Sequence, residues 1–286
     1  MARGDRKDGK LVRTLPGMSK VIPFIMKTRN DANNIVRDRV EISEVEKYIK
    51  EKREAGYNQF GLLHFTIAAY VRTVAERPGV NRFCSGQRVY KRDQVILNMV
   101  VKKEMTLESE DTTIKVYFDP ADTAIDVYNK LQSAINHEKG GSDDNSTEAA
   151  INTLIKFPRG FFRFAIGFLR LLDYYGKLPM FLINLSPFHG SIFFTSMGSL
   201  GIPPIVHHLY NFGNVPVFLA AGIKETVYEL NKDGEVEKKK YMSYTFNTDE
   251  RICDGFYFAS ALKVFKAQFR NPWKLDKPVE PKIDID

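Results

Sequence analysis

The hydrophobic and polar positions of this chain follow two periods, one typical of strands and one typical of helices. Apolar and charged residues alternate from Ile35 to Ile42, which predicts a half-buried strand. Ser43 and Glu46 then have the spacing of a capping box and predict a helix that runs to about Arg53. The segment Phe60–Glu76 is apolar on most sides, so a second, largely buried helix is predicted there.

The rest of the chain mixes strands and helices. Asp119 followed by Pro120 predicts a helix start, and Lys232-Asp233-Gly234 predicts the turn of a hairpin. Because the elements lack a regular βαβ rhythm, the sequence predicts an α/β protein with a mixed sheet. The remaining predicted elements are strands at Val95–Val101, Thr112–Phe118, Ser191–Ser196, Val215–Ile223 and Tyr241–Thr248 and a last helix at Gly255–Phe269.

Length and composition indicate one main domain. The chain has 286 residues, of which 43% are hydrophobic, enough for a substantial core. Residues 1–15 are polar and basic and predict a flexible arm, and residues 274–286 predict an extended tail. Residues 16–273 contain no internal repeat or clear linker, so they are expected to form the domain.

A helical insert rich in Phe and Leu is predicted at residues 155–180. Within it, Lys156, Arg163 and Arg170 recur every seven residues and share one helical face. The apolar run is too short and too charged for a membrane span, which takes about 20 apolar residues. A buried helix or a subunit contact is the favoured interpretation. The wall of a hydrophobic acyl pocket and a helix on a membrane surface remain open alternatives.

Charge and cysteine content narrow the function classes. The net charge is +7, with basic residues spread along the chain, and no nucleic-acid-binding module accompanies it. Anionic ligands such as a nucleotide-bearing cofactor are therefore favoured over nucleic acid. Cys84 and Cys253 are far apart and have no metal-site spacing, so no metal and no disulfide framework are expected. A reducing, cytoplasmic location is the simplest interpretation.

The most distinctive motif is Asp249-Glu250-Arg251-Ile252-Cys253-Asp254-Gly255. It resembles the active-site signature of the chloramphenicol acetyltransferases and of the catalytic cores of the dihydrolipoamide acyltransferases of 2-oxo acid dehydrogenase complexes. That signature is His-x-x-x-Asp-Gly. Glu250 stands at the histidine position, whereas Asp254 and Gly255 are retained.

The resemblance extends over most of the chain, from about Leu15 to Pro272. Ser186-Pro187-Phe188 and the following Phe193–Gly201 resemble the strand that carries the family's Ser or Thr and its following Leu-Gly. The resemblance implies an α/β, chloramphenicol acetyltransferase-like two-layer sandwich with a mixed sheet that forms a homotrimer, or multiples of trimers. No lipoyl or subunit-binding domain is recognised before the core, so a stand-alone member without a covalent lipoyl group is expected.

The resemblance also implies a reaction. Acyl-CoA is the co-substrate, and a hydroxyl, thiol or amine of a small-molecule acceptor attacks its thioester after losing a proton to the family's histidine. Carried over residue by residue, the base position is Glu250 and the hydroxyl that stabilises the oxyanion is Thr195, with Ser196 as the alternative. Asp254 anchors the loop through an ion pair, for which Lys20 and Arg29 are the candidate partners.

The substitution at the base position leaves several interpretations open. The ordinary pKa of a glutamate is about 4.3, low for a general base, although burial raises the pKa of a carboxyl. Glu250 therefore indicates either altered catalysis or an inactive trimeric scaffold or acyl-ligand-binding protein. His207 or His208, of which His208 is the alternative base, follows Gly201, but two packed histidines are the simpler interpretation. A peripheral membrane protein that docks through the Phe-rich insert is a further alternative.

Overall fold

A six-stranded mixed sheet organises the fold, seen in a computed structural model that describes residues 2–102, 111–139 and 158–284. In these ranges the strands are β1 (Lys10–Leu11), β2 (Asn33–Glu41), β3 (Phe83–Ser85), β4 (Arg88–Lys91), β5 (Val95–Lys102), β6 (Asp111–Phe118), β7 (Ile192–Ser196), β8 (Val217–Leu230) and β9 (Val236–Asp249). The helices are α1 (Gly17–Ile25), α2 (Ser43–Glu54), α3 (Leu62–Glu76), α4 (Ala124–Lys139), α5 (Arg159–Tyr174), α6 (Met180–Leu185) and α7 (Gly255–Arg270).

The large sheet has the strand order β2-β9-β8-β7-β5-β6. Strand β7 runs parallel to both β5 and β8, whereas the other neighbouring pairs are antiparallel. The predicted α/β class with a mixed sheet is therefore confirmed. The hairpin turn predicted at Lys232-Asp233-Gly234 is also confirmed, because β8 ends at Leu230 and β9 begins at Val236.

Helices α3 and α7 pack on one face of this sheet. Every residue from His64 to Ala75 is buried, because this segment is apolar on most sides. The ring of Phe269 meets Phe65 edge-on, with 4.9 Å between the ring centroids. Phe265 meets Tyr244 of β9 in the same way at 5.7 Å. These contacts fix α7 against the strand that ends at the Asp249–Gly255 motif.

The opposite face of the sheet is covered by the segment that follows β7. The rings of Phe193 and Phe218 stack at 5.1 Å, and the ring of His207 stacks on Phe218 at 3.9 Å. Phe193 belongs to this second apolar cluster, whereas its neighbour Phe194 belongs to the main core under the helices. Alternation along β7 therefore sends successive side chains to different faces of the sheet.

The predicted capping box of α2 is wrong, although the helix begins at Ser43 as expected. The hydroxyl of Ser43 donates a hydrogen bond to the carboxylate of Glu41. The carboxylate of Glu46 accepts hydrogen bonds from Lys224 at 2.8 Å and from Lys240 at 2.6 Å. Long-range charge pairing thus uses Glu46, which local spacing had assigned to the helix end.

The helix predicted to start at Pro120 begins instead at Ala124. The side chain of Asp119 accepts a hydrogen bond from the backbone N–H of Ala121 and closes a turn before the helix. At the actual start, the hydroxyl of Thr123 donates to Asp126 at 2.6 Å. The N-cap prediction at Asp119 is therefore wrong, because this residue caps a turn.

Residues 2–15 do not form the solvated arm that their composition predicts. Arg6 is 5% exposed and forms ion pairs with Asp8 at 2.8 Å and with Asp173 at 2.6 Å. Val12 is also buried, and β1 pairs with β4. The two carboxylates compensate the loss of hydration that burial of Arg6 entails.

The Phe-rich segment forms the helix α5, but most of its surface is exposed. Asp173 is the buried residue of this helix, whereas Phe164 and Phe168 lie on its exposed surface. The interpretation as a helix buried in the core is therefore wrong for a single copy of the chain. Lys156, the first member of the predicted basic row, lies outside the described residues.

Burial of His64 predicts a pH dependence of stability. Burial lowers the pKa of His64 from 6.5 to about 4, and its Nδ1 accepts a hydrogen bond from the backbone N–H of Gly61. Between these pH values the unfolded chain binds a proton that the folded protein does not, so stability is lost as the pH falls through this window. We expect His64→Gln to remove up to about 3 kcal/mol of this loss. Urea denaturation of the wild type and the variant at pH 7.5 and pH 4.5 measures this loss. An equal loss of unfolding free energy in the two proteins would contradict the role of His64.

Candidate functional site

The turn after β9 is held by a buried ion pair. The side chain of Asp249 is fully buried and accepts two hydrogen bonds of 2.7 Å from the guanidinium of Arg251. A second guanidinium, that of Arg29, lies 3.9 Å from the carboxylate of Asp249. Burial alone lowers the pKa of Arg251, but the hydrogen bonds and charge of Asp249 more than reverse this and raise it. The backbone on both sides of Glu250 is therefore fixed.

Glu250 presents its side chain outside this ion pair. The side chain is exposed in a single copy of the chain. Its backbone N–H donates a hydrogen bond of 2.8 Å to the carbonyl of Ala32, so the main chain is held while the carboxylate stays accessible. A carboxylate in this position can take a proton from a group that approaches from outside the chain.

Asp254 caps the last helix. Its side chain is exposed, and its Oδ1 accepts a hydrogen bond of 2.7 Å from the backbone N–H of Tyr257 at the start of α7. Arg29, a candidate partner of Asp254, lies against Asp249 instead, and the other candidate, Lys20, is exposed on α1. Arg29 therefore pairs with Asp249, the residue just before Glu250, and not with Asp254.

Thr195 and Ser196 end β7, and both are half-buried. Thr195 lies opposite Ala220, which in turn lies opposite Thr245 on β9. Glu250 is five residues beyond Thr245. At about 3.3 Å per residue along a strand and about 4.8 Å between strands, Glu250 and Thr195 are roughly 19 Å apart. One copy of the chain therefore does not bring the predicted base and hydroxyl together.

The histidines after β7 lie on the segment that covers the open face of the sheet. His208 is exposed, and its ring stacks with the ring of His207 at 4.5 Å. The carbonyl of His207 accepts a hydrogen bond from Asn247 of β9. His207 is thus part of the packing of this face, and His208 is left as a surface imidazole.

A cationic cavity of about 370 Å³ adjoins the fixed turn. Its basic lining consists of Lys27, Arg29, Arg170 and Arg251. Among the described residues, the Nε of Arg29 has no hydrogen-bond partner, although it is buried. A cavity with this lining is suited to an anionic group, because buried guanidinium N–H groups gain by binding an acceptor.

Two further groups of this cavity have displaced pKa values. Burial alone raises the pKa of Asp173, but hydrogen bonds and charges from His189 and Arg6 lower it to about 2. Burial raises the pKa of Cys84 to about 11, so this thiol stays protonated and is a poor nucleophile. Asp173 is therefore ionised on the wall of the cavity, but its charge is paired with Arg6.

Sequence reasoning did not identify the cluster of Arg29, Asp249 and Arg251. The motif pointed to the retained Asp254, whereas the buried carboxylate is the residue just before Glu250. One sequence feature could have indicated this cluster: Asp249 and Arg251, which carry opposite charges, stand on either side of Glu250. Their bidentate contact requires a turn that the sequence alone does not define.

Comparison with solved structures places the fold. The chain is similar to a probable dihydrolipoamide acetyltransferase from Listeria monocytogenes 4b F2365, with a TM-score of 0.58, 13% identity, and coverage of 92% of this chain and 95% of that chain. It is similar to the dihydrolipoamide acetyltransferase of Azotobacter vinelandii, with a TM-score of 0.54, 12% identity, and coverage of 92% and 93%. A chloramphenicol acetyltransferase has a TM-score of 0.52, 12% identity, and coverage of 94% and 100%.

These similarities confirm the chloramphenicol acetyltransferase-like fold that the motif and its context predict. The sequence itself matches no protein-family model and no curated protein. The likeness therefore concerns the architecture, and the chemistry has to be argued from the residues of this chain.

Proposed function

We propose that this protein is a CoA-dependent acyltransferase in which Glu250 replaces the histidine base. The observation that carries the proposal is the fixed turn: Asp249 and Arg251 hold the backbone on both sides of an accessible carboxylate, at the motif position of the base. In the Azotobacter vinelandii protein a serine, a histidine and an asparagine were studied for their role in the catalytic mechanism, and the last two are four residues apart. Glu250 and Asp254 have the same separation.

The proposed reaction moves an acyl group from a thioester to an acceptor. The carboxylate of Glu250 accepts the proton of the acceptor hydroxyl, thiol or amine as the acceptor atom bonds to the thioester carbonyl carbon. The hydroxyl of Thr195, or of Ser196, donates a hydrogen bond to the resulting oxyanion. The carbon–sulfur bond then breaks, and the CoA sulfur receives the proton from Glu250. Electrons and protons balance without a metal or a redox partner.

We further propose that the site is completed by another copy of the chain in a homotrimer. The separation of roughly 19 Å between Glu250 and Thr195 exceeds the reach of one substrate carbonyl and its nucleophile. An exposed Glu250 from one copy and the hydroxyl of its neighbour supply both groups to one passage. The cationic cavity beside the turn supports an anionic co-substrate such as CoA, which carries phosphates.

The first experiment measures release of free thiol when the purified protein is mixed with acyl-CoAs and with hydroxyl, thiol and amine acceptors. We expect acceptor-dependent thiol release for at least one combination. Acyl-CoA binding by calorimetry runs alongside as the control. Binding without any turnover would support the second candidate function, an acyl-ligand-binding scaffold, which is favoured by the carboxylate in place of imidazole.

A mixing experiment tests the shared site. Glu250→Gln and a Thr195→Ala/Ser196→Ala double variant are each expected to be inactive. When they are unfolded and refolded together in equal amounts, random trimers contain both intact groups at about a quarter of their sites. We therefore expect about a quarter of the wild-type thiol-release rate from the mixture. Refolding each variant alone is the control, and a mixture that stays inactive while forming trimers would contradict the shared site.

A further inference from the structure

The C-terminal end of helix α5 is attached to the turn between β3 and β4 and to the N-terminal segment. There Asp173 is buried and pairs with Arg6 at 2.6 Å, and the hydroxyl of Tyr174 donates to Gln87 at 2.6 Å. The carbonyl of Tyr174 also lies so close to Gly86 that a Cβ on that glycine would meet its oxygen at 2.2 Å. The end of the helix is thus seated against the turn between β3 and β4.

The exposed surface of α5 carries an apolar stripe. Its members recur at alternating intervals of three and four residues, so they lie on one side of the helix. Phe164 is 70% exposed and Phe168 is 49% exposed, and their rings stack at 6.3 Å. The exposed residues with this spacing are Phe161, Phe164, Phe168, Leu171 and Tyr175. An aromatic stripe of this size left in water indicates a binding surface.

A second exposed apolar helix borders the same turn. In α1, Met18, Val21, Phe24 and Ile25 are exposed. Phe24 and Gln87 line one apolar cavity of about 330 Å³. Gln87 also accepts the hydrogen bond from Tyr174 of α5. The stripes of α1 and α5 therefore flank one turn and present apolar side chains on both sides of it.

The charge of this surface is of one sign. Residues 16–28 and 158–186 include one acidic residue, Asp173, and its carboxylate is buried. Their cationic residues are all exposed: Lys20, Lys27, Arg159, Arg163, Arg170 and Lys177. On α5 the three arginines fall on the side opposite the aromatic stripe, as helical spacing requires. Phenylalanine on one side and arginine on the other is the pattern of helices that lie in a membrane interface.

We propose that this surface docks on an anionic phospholipid bilayer. The aromatic stripe of α5 enters the boundary between headgroups and acyl chains. The basic residues of this surface that do not line the cationic cavity contact lipid phosphates: Lys20, Arg159, Arg163 and Lys177. A two-fold contact of this surface with the same surface of a second copy is disfavoured, because both surfaces are cationic. In the proposed contact, α5 and α1 lie along the membrane surface. In the described part of the chain no helix has the length and apolar character to cross a bilayer.

The experiment is flotation of the full chain with vesicles of phosphatidylcholine alone or with 30% phosphatidylserine. We expect at least about tenfold stronger binding to the anionic vesicles at low salt, weakened by 0.5 M NaCl. Phe164→Asp/Phe168→Asp is expected to lower this binding at least about tenfold. Arg159→Glu/Arg163→Glu should remove the preference for phosphatidylserine.

Tyr228→Asp is the matched control, because Tyr228 is equally exposed but lies on the β8–β9 hairpin. It should bind vesicles as the wild type does. Absence of vesicle binding by the wild type would overturn the proposal. Unchanged vesicle binding by the Phe164→Asp/Phe168→Asp variant would also overturn it. If that variant loses self-association without any change in vesicle binding, the stripe is a contact between copies. Circular dichroism confirms that each variant is folded.

Discussion

Asp249→Asn is expected to lower the free energy of unfolding by about 3–5 kcal/mol. Asp249 is fully buried and is the carboxylate that compensates Arg251, with Arg29 at 3.9 Å. An amide of the same size retains the shape of the side chain but not its charge, so two buried guanidinium groups lose their nearest counter-ion. Urea denaturation at neutral pH measures the loss.

Asp254→Asn is the matched control, because it makes the same chemical change at an exposed residue of the same motif. Asn caps helices about as well as Asp, so the hydrogen bond to the N–H of Tyr257 survives and the change should stay within about 0.5 kcal/mol. Equal effects of the two substitutions would show that Asp249 does not anchor the turn.

Glu250→Gln is expected to lower the acyl-transfer rate by about 10²–10⁴-fold, the usual contribution of a positioned general base. The side chain is exposed and its amide has nearly the same volume, so stability should change little. KM for acyl-CoA should also stay similar, because the substitution removes a proton acceptor rather than a binding contact. Steady-state thiol-release kinetics separate kcat from KM.

Glu250→His provides the complementary test. An imidazole has an ordinary pKa of about 6.5 and is a better proton acceptor at neutral pH than an exposed carboxylate. If position 250 is the base, the histidine variant should be at least as active as the wild type near pH 7.5. A histidine variant as inactive as Glu250→Gln, with acyl-CoA binding intact, would remove the base from this position.

Periodicity was sufficient for the architecture. Alternation along Ile35–Ile42 and the apolar run of Phe60–Glu76 depend only on neighbours in sequence, and both elements occur with ends shifted by at most two residues. The mixed sheet follows from the order of such elements. The motif at Asp249–Gly255 could be located because its spacing is local.

The features that failed depend on distant partners. Arg6 is buried because Asp173, 167 residues later, lies against it. The composition near the N-terminus does not predict that contact. Glu46 pairs with Lys224 and Lys240 rather than capping its helix for the same reason. In the proposed trimer, the choice between Thr195 and Ser196 also depends on how copies meet, which strand alternation within one chain does not determine.

The walls of the cationic cavity come from several separate parts of the chain. Arg170 and Tyr174 come from the end of α5, and Arg251 comes from the turn that presents Glu250. If membrane contact shifts α5, it should change the affinity of this cavity for an anion, and a bound anion should change the affinity for the membrane by the same factor. The proposed acyl transfer and the proposed lipid binding would then be coupled in both directions.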